Sequence, residues 1–238
     1  MEVKLKELVD RLKSAAGGNL KAAVLYGSAV TGEFQKEHSD LNILCIVERA
    51  GSSELEALHT AADWWMREGN PSPLIFTLEE LARSADVFAI ELLDMKSHHR
   101  MLLGDDFLEG LNVPLRLHRL QVERELRNAW LRLRQAILAA PQKRRARLGI
   151  MLASVATFCT LFRHALIALG RPAPLSKREA VDGAASLTGA NAMGFQSILD
   201  LREGKSKEKE IDVEAALHAY LEFVEVITDH VDRAFETS

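Results

Sequence analysis

Cysteine is scarce, with two in 238 residues, Cys45 and Cys159, each inside an apolar run. A disulfide framework is thereby excluded, and so is a cysteine-built metal site. The expected compartment is a reducing cytoplasm. An excess of one charge is also lacking: Lys and Arg number 30 against 34 Asp and Glu, a formal net charge of -4. Nothing drives the whole molecule toward nucleic acid or an anionic membrane, so any polyanion site must be local. Met1 to Gly18 alternates charges with Leu and Val and lacks the apolar core of an export signal. No His-Glu-x-x-His pattern occurs, and neither does an internal repeat. One long apolar run, Leu148 to Leu169, approaches the length of a membrane span, but it carries Ser154, Arg163, His164 and two threonines. Those groups are costly in lipid, and the run reads as a buried bundle helix with no membrane partner.

The chain is 47% hydrophobic and 27% charged, ordinary values for a folded protein of one large or two small domains. Up to about Asn112 two periods mix. Val3, Leu5, Leu8, Val9 and Leu12 recur at helical spacing and stop at Gly17-Gly18. The runs 22–26 and 41–47 read as buried strands, 74–77 as a third strand, and 100–103 as a short edge strand. Ser52-Ser53 offers an N-cap to a helix over 54–67, and another helix is expected over 86–95. Strands alternating with helices imply an α/β or α+β layer with a mixed sheet. After Val113-Pro114 only helical patterns remain, with long helices expected over 115–139, 146–169 and 213–235 and shorter ones over 177–187 and 191–201. Leu120, Leu126, Leu133 and Ile137 supply apolar positions in the first of these. The expected organisation is a domain over 1–112 followed by an all-α bundle over 113–238 that binds substrate or partner.

The informative stretch is Val24-Leu25-Tyr26-Gly27-Ser28, then eleven residues, then Asp40-Leu41-Asn42-Ile43-Leu44. A Gly-Ser turn ending one strand can offer backbone N–H groups and a hydroxyl to phosphate. Residues 40 and 42 of an extended strand project to one face, where their oxygens can converge. Hard oxygen ligands beside a phosphate cradle suit Mg²⁺ and phosphoryl chemistry. These residues resemble the nucleotidyltransferase superfamily, which includes DNA polymerase β and the aminoglycoside nucleotidyltransferases of the kanamycin type. The family pattern is an apolar residue, Gly-Ser, a spacer of about nine to thirteen residues, then Asp-apolar-Asp/Glu-apolar, and its carboxylates hold two Mg²⁺ ions. Ser39 before Asp40, and Gly32 in the spacer, also match its wording. The resemblance implies that Gly27 and Ser28 bind the nucleotide phosphates and that Asp40 and Asn42 take the metal positions, with Asp40 the catalytic acidic residue.

The chain departs from that pattern at three points. The second carboxylate is Asn42, which offers a carbonyl oxygen but no charge. The strand expected to carry the third, Pro73 to Thr77, holds no acid, and Glu79-Glu80 just after it fit the start of a helix. The basic residue that often follows the Gly-Ser turn is replaced by Ala29-Val30-Thr31. The leading expectation is therefore a protein with a degenerate metal site, binding an NTP or nucleotide-like ligand in the cleft between its domains with little or no transfer. The alternatives are an active Mg²⁺-dependent transferase acting on a small-molecule hydroxyl, with Glu79 or Glu91 as a further carboxylate, and an antitoxin-like interaction module with a vestigial cleft. Whether the protein is an enzyme, and its oligomeric state, stay open at this point.

Between Val113 and Leu148 lie ten basic residues and two acidic ones, while the last helix and the loop before it are acidic. Pairing of these helices is the favoured reading, and nucleic-acid contact through 115–147 the lesser one. Arg163 in the apolar second bundle helix must either be paired or face a phosphate in the cleft. His98-His99 reads as a solvated helix end rather than a metal chelate. Trp64, Trp65, Trp130 and Phe158 fall within helical apolar patterns and read as core.

Overall fold

The computed structural model describes residues 1–30 and 40–236. The first helix, α1 (Glu2–Ala16), buries Leu5, Leu8, Val9 and Leu12 on one stripe and stops at Gly17. Strand β1 (Leu20–Tyr26) runs into a single 3₁₀ turn, Gly27–Ala29, and β2 (Asn42–Val47) follows. Helix α2 (Ser52–Arg67) is entered from Gly51, not from a serine cap, and the Ser53 hydroxyl instead reaches the Glu54 carboxylate at 3.2 Å. Strand β3 (Leu74–Thr77) passes directly into α3 (Leu78–Arg83). Helix α4 (Ala89–Ser97) begins later than its apolar pattern suggests. The amides of Val87 and Phe88 both turn back to the Ser84 carbonyl, so that the chain is still closing the previous turn at Asp86. Strand β4 (His99–Gly104) completes the sheet.

The strand order is β3-β2-β1-β4, with β1 antiparallel to both β2 and β4, and β2 parallel to β3. Because side chains alternate across a strand, the sheet has two differently covered faces. One carries Leu25, Ile43, Cys45 and Val47 against Leu5, Leu8, Leu12 of α1 and Leu58, Ala61, Trp65 of α2. The other carries Ala22, Val24, Leu44 and Ile46 against Leu81, Leu92, Met95, Leu108 and Leu111. Sealing within the first layer pushes the Cys45 thiol up to about 12.

The chain divides into two compact units, Met1–Pro114 and Leu115–Ser238. The second is helical: α5 (His118–Ala139), α6 (Arg144–Ala168), α7 (Lys177–Thr188), α8 (Met193–Arg202) and α9 (Val213–Glu236). Residues 115–117 form a turn ahead of α5, closed by the His118 amide on the Leu115 carbonyl. Leu120 does not join the core; it is 63% exposed, since the buried stripe of α5 is Val122, Leu126, Ala129 and Leu133. Helix α6 is long and apolar enough to cross a membrane by length and composition alone, but more than half of its apolar window is buried inside the protein. Its Phe158 and Phe162 meet Phe195, Tyr220 and Phe223, and the Phe195 and Tyr220 rings stack 3.9 Å apart. That stacking requires α8 and α9 to approach closely at Gly194, where a Cβ would lie 2.5 Å from the Tyr220 amide nitrogen and 2.6 Å from the Ala216 carbonyl oxygen. Arginines of α5 and α6 meet acids of α9, as in the pairs Arg127–Asp232, Arg134–Glu225 and Arg147–Glu214.

Candidate functional site

The first unit brings the Gly-Ser turn and the Asp-x-Asn segment together at one end of the sheet. Tyr26, the last residue of β1, lies opposite Asn42, the first of β2. Gly27 then leaves the strand with φ +81°, a left-handed conformation that side-chain-bearing residues rarely adopt. A Cβ there would meet Asn42 Nδ2 at 3.2 Å, so the turn stands directly against the asparagine side chain. The Val30 amide closes the turn on the Gly27 carbonyl at 3.0 Å. Ser28 is half-buried within it and already has an interaction partner. Asp40 is exposed and sits two residues before the strand begins, with buried Leu41 between it and Asn42. Gly32 and Ser39, which match the family wording, lie outside the described residues.

Asn42 shares its sheet face with Leu44 and Ile46. The neighbouring strand β3 pairs Leu74 with Leu44 and Phe76 with Ile46, so that face of β3 carries apolar groups and no acid. Glu79 and Glu80 lie at the wrong end of the sheet. Thr77, just before them, is level with Val47, which is about 17 Å along β2 from Asn42. Glu80 is also committed locally: its carboxylate accepts from the Thr77 amide at 2.8 Å and from the Thr77 hydroxyl at 3.0 Å, which holds its carboxyl below the ordinary value. Glu79 pairs with Arg83. Glu91 is exposed on the first turn of α4. Among the described residues, no group of three or more His, Cys, Asp or Glu is placed to hold a metal ion.

On the other side of β1, His99 lies opposite Tyr26 and completes a row across three strands, Asn42–Tyr26–His99. The expected solvated helix end is thus a strand residue with a largely enclosed ring. Nδ1 is 2.9 Å from the Met95 carbonyl and Nε2 2.7 Å from Asp106 Oδ2, while Asp106 Oδ1 accepts from the Leu108 and Glu109 amides at 3.0 Å. Partial burial pushes the Asp106 carboxyl up, and its bond from His99 together with the two amide bonds more than offsets this, leaving it below its ordinary value. Both ring nitrogens of His99 and both carboxylate oxygens of Asp106 are thus engaged within this pair and its neighbouring backbone. Burial raises the Tyr26 hydroxyl.

The second unit holds the remaining sequence candidates. Arg163 on α6 is 8% exposed, next to His164, whose Nδ1 lies 3.0 Å from Nε2 of His118 in a fully buried contact between α6 and α5. Trp65 and Phe158 are core, whereas Trp130 is only half-buried, with the Arg134 guanidinium 4.2 Å from its ring centre. The pairs His99–Asp106 and His118–His164 have no counterpart in the sequence reading. Their members are 7 and 46 residues apart, and only strand register or helix packing brings them together.

No protein-family model matches the chain, and no curated protein is similar to it in sequence. Among solved structures, spectinomycin adenyltransferase AAD(9) from Enterococcus faecialis, determined with ATP and spectinomycin, is similar over 92% of this chain and 98% of its own, with a TM-score of 0.55 and 15% identity. A chain from a toxin-antitoxin structure with AMP-PNP aligns over 56% of this chain and 98% of its own, with a TM-score of 0.32 and 14% identity. The first likeness spans both units, and the chain has a nucleotidyltransferase-like α+β fold with a mixed four-stranded sheet and a C-terminal helical region.

Proposed function

We propose that this protein binds a nucleoside triphosphate, or a ligand like one, at the Gly27–Ser28 turn together with a single Mg²⁺, and that it transfers the nucleotidyl group slowly or not at all. The observation that carries the reading is the placement of the positive-φ turn against Asn42, with Asp40 two residues upstream. Backbone amides of a turn that lacks a Cβ can approach phosphate oxygens closely, and the Ser28 hydroxyl would add a donor once its present contact exchanges. The residues present fit one cation: Asp40 would supply the charged oxygen and Asn42 a neutral carbonyl, the phosphates themselves completing the set. Bound there, Mg²⁺ would neutralise phosphate charge and orient the triphosphate. Two-metal transfer requires more negative charge than one carboxylate supplies. The relative that shares the fold was solved with ATP, which is in keeping with this reading. The proposal includes a cytoplasmic setting, for which the scarcity of cysteine is the support.

Calorimetric titration with each NTP, with and without Mg²⁺, on wild type, Asp40→Ala and Asn42→Asp tests it. Expected are binding by the wild type, a loss of the Mg²⁺-dependent part in Asp40→Ala, and tighter Mg²⁺-dependent binding in Asn42→Asp. Absence of binding under every condition would move the protein to the class of interaction modules. Rapid Mg²⁺-dependent pyrophosphate release that Asp40→Ala abolishes would make it an active transferase.

A further inference from the structure

Helix α5 carries two apolar seams. The inner one, Val122, Leu126, Ala129 and Leu133, is buried in the bundle. The outer one pairs Trp130 with Ile137 and Leu131 with Leu138, each pair two turns apart on the helix. Leu131 is 54% exposed and Leu138 85%, although leucine at such a site gains nothing from water. Beside this seam a groove of about 620 Å³ runs between α5 and α9. Trp130, Ile137 and Leu138 line it from α5, and Leu221 from α9. Its walls differ in charge. Arg134 stands on the α5 side, while Glu222 and Glu225 stand on the α9 side.

We propose that this groove is a self-association surface, occupied by the same groove of a second copy of the chain. The charge pattern selects that occupant. A twofold axis parallel to the helices sets α5 of one copy over α9 of the other, so that each arginine-bearing wall meets a glutamate-bearing wall, and both do so at once. The same rotation lays the Leu131–Leu138 seam over the groove floor at Leu221, turning an exposed stripe into the centre of a four-helix contact. Within one chain Arg134 already bridges the walls, stacked on Trp130 and 3.7 Å from Glu225, and in the pair it is shared between two acidic walls.

The test is light scattering on the full chain after gel filtration. Expected for the wild type at micromolar concentration is twice the chain mass of 26.4 kDa. Leu138→Glu, at a position too exposed to matter for folding, is expected to give the single-chain mass with unchanged helical circular dichroism. Arg134→Glu is expected to weaken association at least tenfold, and adding Glu225→Arg to restore it. A wild type that stays at the single-chain mass up to about 100 µM overturns the proposal. So does a Leu138→Glu protein that still runs at twice the chain mass.

Discussion

At position 42 one atom separates a neutral side chain from a charged one. An aspartate there would bring a second negative charge to the Gly27 turn, whereas Asn42 keeps the shape of the side chain and an acceptor oxygen but cancels that charge. Gly27 adopts φ +81° directly against residue 42, so either side chain would meet the same turn. Asp106 illustrates the opposite use of a carboxylate. Its three bonds, from His99 and two amides, place its charge in a structural role. Asp106→Asn is expected to cost about 1 to 2 kcal/mol at pH 7, measured by urea unfolding. Because the folded carboxyl lies below its ordinary 3.8, that stability is present above the unfolded value and is lost as pH falls through the folded one. The difference between wild type and variant should therefore shrink below about pH 4.

At the scale of elements, the α8–α9 contact depends on a missing side chain. Gly194→Ala would gain up to about 1 kcal/mol of helix propensity. It would also force backbone apart where Cβ meets the Tyr220 amide at 2.5 Å, and overpacking of that kind costs about 1 to 3 kcal/mol. A lowered melting temperature is expected, and an unchanged or raised one would show that the two helices separate easily. The positions of α1, α2, α6 and α7 were legible in the sequence because apolar spacing and the glycines or prolines near their ends act locally, and that of α9 from its apolar spacing after a charged loop. The edge strand β4 was legible from a short apolar run before Gly104. The start of α4 was not, since its delay comes from two amides sharing the Ser84 carbonyl. Nor was the exposure of Leu120, because a helix with two apolar seams does not announce which one faces inward. Near the candidate site, the strand run ending at Tyr26 and the one entered at Leu41-Asn42 were expected from apolar spacing, whereas the Asn42–Tyr26–His99 row required the strand register. The remoteness of Glu79 followed only from β3 running parallel to β2.

At the scale of the whole molecule, two units share one chain, and their aromatic residues are divided between them. The sequence has two tyrosines, Tyr26 ending β1 in the first unit and Tyr220 on α9 in the second. Burial raises the hydroxyl of both, and that of Tyr220 well above 10 despite its 2.9 Å bond with the Ser154 hydroxyl. The neutral phenol is thus favoured by the folded state. That advantage is complete below the unfolded value near 10 and is withdrawn as pH rises through the folded one. The chain consequently carries its own optical reporter. In an alkaline titration followed at the phenolate absorption band, no colour should develop at the pH where free tyrosine ionises, and each half of the signal should appear as one of the two units opens. The second half would report the moment at which the ring stack of Phe195 and Tyr220 comes apart.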